Sequence, residues 1–301
     1  MTSTAYRTSR RGVSLPELIV ALVMFAVIAT AIVKALSTGQ RAYDAQVQHT
    51  ELQQNVRVAS ILLPSEFREL DASDGDIITM DSVSIKMRSM RQLGIVCTLP
   101  VLGGALTAVT FAVRDTMMAT RYFAAGDSLL LYYEGDPTIR TDDSWMPGSL
   151  TSVGVNTACT DGSGKTGKLF TAALRLDALT SPAQTNTAGF IPLGAPVRAF
   201  RVITYTRYKA SDGEWYVGMD SAGTTLPLIG PLADSLGMKF TYYDSLTVPT
   251  VLGSAAQRSV ARIRIALALK TSRAIRKNIG SPAADTTRVS LEVALRNNKR
   301  F

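Results

Sequence analysis

Glu17 is the residue whose position demands a chemical explanation. It stands at the head of an apolar run, Leu18–Val33, in which Thr30 is the one polar residue. A lone carboxylate beside hydrocarbon is costly unless an opposite charge meets it. Lys34, the next basic residue along the run, is 17 residues on, roughly 25 Å along a helix axis and out of reach. The counter-charge must come from elsewhere.

Other residue sets could do chemistry, and most reduce to structure. Gly162-Ser-Gly-Lys-Thr-Gly167-Lys168 has the G-x-x-x-x-G-K spacing of a phosphate-binding loop. Leu169 follows where Ser or Thr should hold magnesium, and no apolar strand leads in, so a polar loop is expected. Asp71, Asp74 and Asp76 could offer oxygens to calcium, but the spacing is not that of a calcium-binding loop, and turn chemistry is the expectation. His49 is the single histidine. It excludes a histidine-rich metal site and a Ser-His-Asp triad, and a surface role is expected. Arg262, Arg264 and Lys270 share a strand face that could meet DNA. No aromatic residue is interleaved there, so a solvated face is expected. Catalytic residues, a metal, a cofactor and a small-molecule substrate are all expected to be absent.

The elements that position these residues begin with the apolar run. Extended to Val13–Leu36 it would be roughly 36 Å long, enough to cross a hydrocarbon core of roughly 30 Å. The chain carries a net charge of +8, and Arg7, Arg10 and Arg11, with no acid beside them, supply three of those charges within residues 1–12. That places residues 1–12 in the cytoplasm and everything after about Leu36 outside. Cys97 and Cys159 are the only cysteines, and in an oxidising compartment they read as one disulfide, two buried thiols being the alternative. Closing a loop of that length would stabilise the fold by roughly 4 kcal/mol.

Residues 37–70 continue the helix in water. Leu52, Val56, Ala59 and Leu63 form one apolar stripe, Gly39 weakens it locally, and Pro64 should kink or end it. The remainder reads as β. Strand expectations are Ile77–Met80, Val83–Met90, Leu129–Tyr133, Leu169–Leu174, Phe200–Lys209, Trp215–Met219 and Met238–Tyr243, with the clearest alternation in Ala261–Lys270 and Arg288–Arg296. Alternation with one charged face indicates antiparallel strands buried on one side, and the helix stripe is the natural cover. Glu134–Lys168 and Leu179–Pro196 read as loops, the second a place where residues 71–301 could divide into two sheets.

Gly12, Val13, Ser14, Leu15, Pro16 and Glu17, after a basic leader and before a long apolar run, resemble the prepilin signal of type IV pilins and type II secretion pseudopilins. The resemblance implies cleavage after Gly12 by prepilin peptidase and N-methylation of Val13. It also implies that Glu17 pairs with the terminal amine of a neighbouring subunit, which would supply the missing charge. The leader arginines would leave on cleavage. Val13 stands where Phe is commoner. Many major pilins carry a proline inside the apolar half, and none occurs here between Pro16 and Pro64, which points to a minor subunit. From Phe200 onward the strand pattern loosely resembles J-type minor pseudopilins and related minor pilins. A conventional signal peptide ending at Ala29-Thr30-Ala31 and a twin-arginine signal at Ser9-Arg10-Arg11 fit less well, because the apolar run continues past Ala31 and Gly12-Val13-Ser14 departs from the twin-arginine pattern.

The expected fold is therefore α+β and pilin-like, a long N-terminal helix, half transmembrane and half amphipathic, on an antiparallel β head. The expected function is that of a structural minor pilin or pseudopilin that helps initiate or cap a filament. Its partners would be other pilin subunits, prepilin peptidase and the inner membrane, with the head periplasmic. Two other classes compete: a DNA-binding competence-type pilin, distinguished by salt-dependent DNA binding, and a membrane-anchored extracytoplasmic protein unrelated to filaments, distinguished by indifference to loss of Glu17.

Overall fold

A computed structural model describes residues 14–102, 108–114, 123–134, 138, 143–174, 191–221, 223–244, 249, 256–275 and 282–295. One helix, α1, runs from Leu15 to Arg68 without interruption. At 54 residues it is roughly 81 Å long. Contacts divide the chain into two units, Met1–Gln54 with Thr271–Asp285, and Asn55–Lys270 with Thr286–Phe301.

Of the kink or end expected at Pro64, the end does not occur: α1 runs on to Arg68. A proline removes one helix hydrogen bond and costs about 3 kcal/mol. Around it Leu63 and Phe67 are fully buried, and two such side chains offset that cost at about 1.5–3 kcal/mol each. The apolar stripe is observed as read: Leu52, Ala59 and Leu63 are buried and Val56 is half-buried. It continues through Phe67 to Leu70.

In the second unit, α1 meets a β head. The strands are β1 (Ile77–Met80), β2 (Ser84–Ile95), β3 (Val101–Leu102), β4 (Ala108–Arg114), β5 (Ser128–Tyr133), β6 (Ser144–Ala158) and β7 (Thr166–Leu174). They continue with β8 (Pro196–Lys209), β9 (Trp215–Asp220), β10 (Thr225–Ile229), β11 (Met238–Tyr243), β12 (Arg262–Lys270) and β13 (Thr286–Ala294). Among the described residues, ten strands form one antiparallel sheet in the order β1-β2-β8-β5-β6-β7-β4-β3, with β9 on β8 and β10 on β9. The other three form a second sheet, β11-β12-β13.

The second sheet follows directly from alternation. Ile263 pairs with Val293, Ile265 with Leu291 and Leu267 with Val289, and the β12 members of these pairs are buried. Arg264 pairs with Glu292 on the opposite face. The cover is the end of α1. Phe67 packs 5.6 Å from Tyr205 of β8 and 6.0 Å from Phe240 of β11, ring centre to ring centre, so one side chain joins helix and both sheets.

Two loop expectations are corrected. Within Glu134–Lys168 the chain forms β6 and the start of β7. Pro147, Gly148 and Gly154 make β6 read as a turn, and its ladder with β7 shifts register twice. A Cβ on Gly148 would sit 2.6 Å from the Ala173 carbonyl oxygen, so glycine is there because β7 lies too close for anything larger. The sheets also do not divide at 179–196. Strands on either side of that segment share the large sheet, and the change of sheet falls between β10 and β11. Residues 179–190 themselves lie outside the described residues.

Candidate functional site

The site the sequence singles out is the first turns of α1. Gly12 and Val13 lie outside the described residues. The helix begins next to them, with Glu17 and Leu18 donating their backbone N–H groups to the Ser14 carbonyl at 3.1 Å each. An acid in the first turn is favoured by the helix dipole, though by less than 1 kcal/mol when solvated. Glu17 is exposed, and none of the ion pairs among the described residues involves it.

The helix beyond Glu17 exposes an apolar surface. Leu18, Ile19, Val20 and Ile28 all lie open, on every side of the helix. Thr30 does not interrupt this surface, because its hydroxyl donates back to the carbonyls of Ala26 at 2.6 Å and Val27 at 2.9 Å. A polar group so satisfied costs little in hydrocarbon. By length and composition α1 can cross a membrane.

Cys97 and Cys159 are joined as a disulfide. Around it the phosphate-loop reading dissolves. Gly162 and Gly164 adopt φ of +74° and +64° in the turn linking β6 and β7, a connection between antiparallel strands and not a strand-to-helix loop. Gly167 is there for room, since a Cβ would come within 2.6 Å of the Cys97 sulfur. Asp161 closes the turn, accepting the Ser163 N–H at 3.0 Å and an ion pair from Arg114. The Ser163 hydroxyl, which also donates to Asp161 at 2.5 Å, is foremost in holding the Asp161 carboxyl down at about 2, followed by Arg114 and the Ser163 N–H. Asp161 lies beside the two sulfurs, but sulfurs bonded to each other are not thiolate ligands for a metal.

The acidic turn is also structural. Asp71 Oδ1 accepts the N–H groups of Ser73 at 3.0 Å and Asp74 at 3.2 Å. Asp76 is fully buried, and its Oδ2 meets the Arg198 guanidinium at 2.8 Å. Arg198 in turn lies 5.2 Å from the centre of the Trp145 ring. The Asp74 carboxyl is pushed up by desolvation, then by Asp71 and Asp76. Arg198 and Trp145 escaped the sequence reading. The one signal was an arginine inside the apolar start of β8, Val197-Arg198-Ala199-Phe200.

The remaining candidates find partners. His49 Nδ1 lies 3.5 Å from Asp285 Oδ2, so it is not an isolated surface residue. Arg262 and Arg264 both pair with Glu292, and Lys270 Nζ pairs with Glu214 at 2.7 Å. Each of the three cations on the strand face considered for DNA therefore has an acidic partner, the two arginines sharing one.

No protein-family model, no curated protein and no solved structure matches the chain.

Proposed function

We propose that the chain is a structural minor subunit of a type IV pilus or type II secretion pseudopilus, helping to initiate or cap the filament. It is held in the inner membrane by residues 13–36, with its β head on the periplasmic side. The observation that carries this reading is Glu17, an acid with no ion-pair partner among the described residues, at the start of a helix that is apolar on all sides. A simple anchor needs no acid there. A helix packing beside identical or related helices can use one, because a terminal amine at Val13 of a neighbour would meet it.

On this reading prepilin peptidase cuts after Gly12 and the new terminus on Val13 is methylated. Arg7, Arg10 and Arg11 hold the leader in the cytoplasm until then. The head carries no catalytic constellation in this reading; it offers surface to other subunits. Intact-mass and N-terminal peptide analysis of the membrane-extracted protein tests it. The expected terminus is N-methylated Val13. A terminus at Ile32 would mean cleavage by ordinary signal peptidase and removal of the helix on which the proposal stands.

A further inference from the structure

The first unit contains a cavity of about 530 Å³ that nothing above uses. One wall is α1 from Arg41 to Gln48, and the other is the segment that begins at Thr271, through Arg273, Ile275 and Pro282. The walls are fixed to each other. Gln48 is buried, and its Oε1 accepts the Arg273 N–H and the Ser272 hydroxyl, both at 2.9 Å. The segment is closed on itself where Ile275 and Ala283 exchange backbone hydrogen bonds at 2.8 and 3.1 Å.

Two arginines, Arg41 and Arg273, line this cavity together with one acid, Asp44. A shallower groove shares Tyr43 and Asp44 with it and runs back along α1 to Gly39, Leu36 and Ala35. The pair thus reads, in chain order, from the last apolar turn of the helix to a cationic cavity. If hydrocarbon ends near Leu36, Arg41 lies roughly 7 Å further along the axis, at the depth of lipid phosphates, which occupy the outer ~5–7 Å of each leaflet.

We propose that Arg41 and Arg273 hold the phosphate of an anionic phospholipid of the outer leaflet, whose glycerol and upper acyl chain lie along Ala35, Leu36 and Gly39. The chemistry fits at each end. A guanidinium is the side chain of choice for a phosphate, offering paired N–H donors. The apolar start of the groove is continuous with the bilayer interior. Asp44 disfavours a headgroup with two or more negative charges, so a singly charged phosphodiester is the preferred occupant. This inference rests on the reading of residues 13–36 as membrane-spanning; it does not depend on filament assembly.

The test uses the full chain reconstituted in vesicles containing both phosphatidylglycerol and phosphatidylcholine, with native mass spectrometry reading the lipids retained after extraction. Wild-type chain should retain phosphatidylglycerol over phosphatidylcholine. Arg41→Ala with Arg273→Ala should lower that preference on the order of tenfold. Arg273 reaches Gln48 through its backbone, so the clamp survives substitution. Arg57→Ala, further along the same helix, should leave the preference unchanged. Equal retention of both lipids by inserted wild-type chain, or a preference indifferent to the double substitution, would overturn the proposal alone. A chain washed from vesicles at alkaline pH would contradict the membrane reading and this proposal with it. Displacement of the retained phosphatidylglycerol by an equal concentration of soluble glycerophosphoglycerol would overturn the assignment to a bilayer component.

Discussion

Phe25 and Phe67 stand on one continuous helix in opposite circumstances. Phe25 is 69% exposed and Phe67 is 0% exposed. Around Phe67 the buried residues Ala59, Leu63 and Phe67 form one stripe, and the exposed side carries Arg57, Ser65 and Arg68 together with Val58 and Ile61. Around Phe25 every face is apolar. A stripe specifies a single protein surface to pack on, whereas an all-round apolar helix specifies a medium. The two acids repeat the contrast. Asp76 is buried and has Arg198 in its own chain, and Glu17 has no ion-pair partner among the described residues. The buried acid of the head meets its counter-charge within the head, while the first turns of α1 expose an apolar surface and an acid.

The largest effect that could break this division is truncation of the two phenylalanines. Phe67→Ala removes a ring that joins helix and both sheets and should destabilise the head by about 3–5 kcal/mol, read as a lowered denaturation midpoint. Phe25→Ala should leave that midpoint where it is. If both moved it equally, the two halves of α1 would not be energetically separate.

The charge contrast is sharpened at Arg198. Arg198→Met leaves Asp76 buried without its counter-charge and should cost about 3–5 kcal/mol. Adding Asp76→Asn should recover much of the loss, because no buried charge then remains. A single mutant as stable as wild type would show that the pair does not hold the acidic turn to β8.

The smallest effect is local and depends on pH. Asp161 titrates at about 2 in the folded chain, below the ordinary value of about 4. Its folded pKa is lowered, so its stabilising contribution is present above pH of about 4 and is lost as pH falls toward 2. The amide resonances of Gly162 and Ser163 should titrate with a midpoint near 2. A midpoint near 4 would mean that the turn between β6 and β7 is not closed by Ser163 and Arg114.

Legibility in the sequence follows the range of the interaction. β12 and β13 were readable because alternation is local and each strand has one buried face. β6 was not, because most of its second half lies open to solvent and no apolar pattern is needed there. As a helix end, Pro64 misled because propensity is local, whereas the burial of Leu63 and Phe67 that overrides it is tertiary. The disulfide could be read from a count of two cysteines. The Asp76–Arg198 pair could not, because its members are 122 residues apart. Glu17 is the intermediate case: its need for a partner was visible from the residues around it, and the partner's absence from the described chain is now visible too.

The most direct measurement is filament assembly with Glu17→Ala and Glu17→Gln, alongside wild type, in cells that make the partner pilins. Neither substitution touches the head, so both chains should insert, be cleaved after Gly12 and show the wild-type denaturation midpoint. Both should nonetheless be excluded from filaments and lose co-purification with partner subunits, since Ala and the amide alike lack the charge proposed to pair with a neighbouring terminal amine. Unchanged assembly and unchanged co-purification in both variants would contradict the claim that Glu17 registers one subunit against the next.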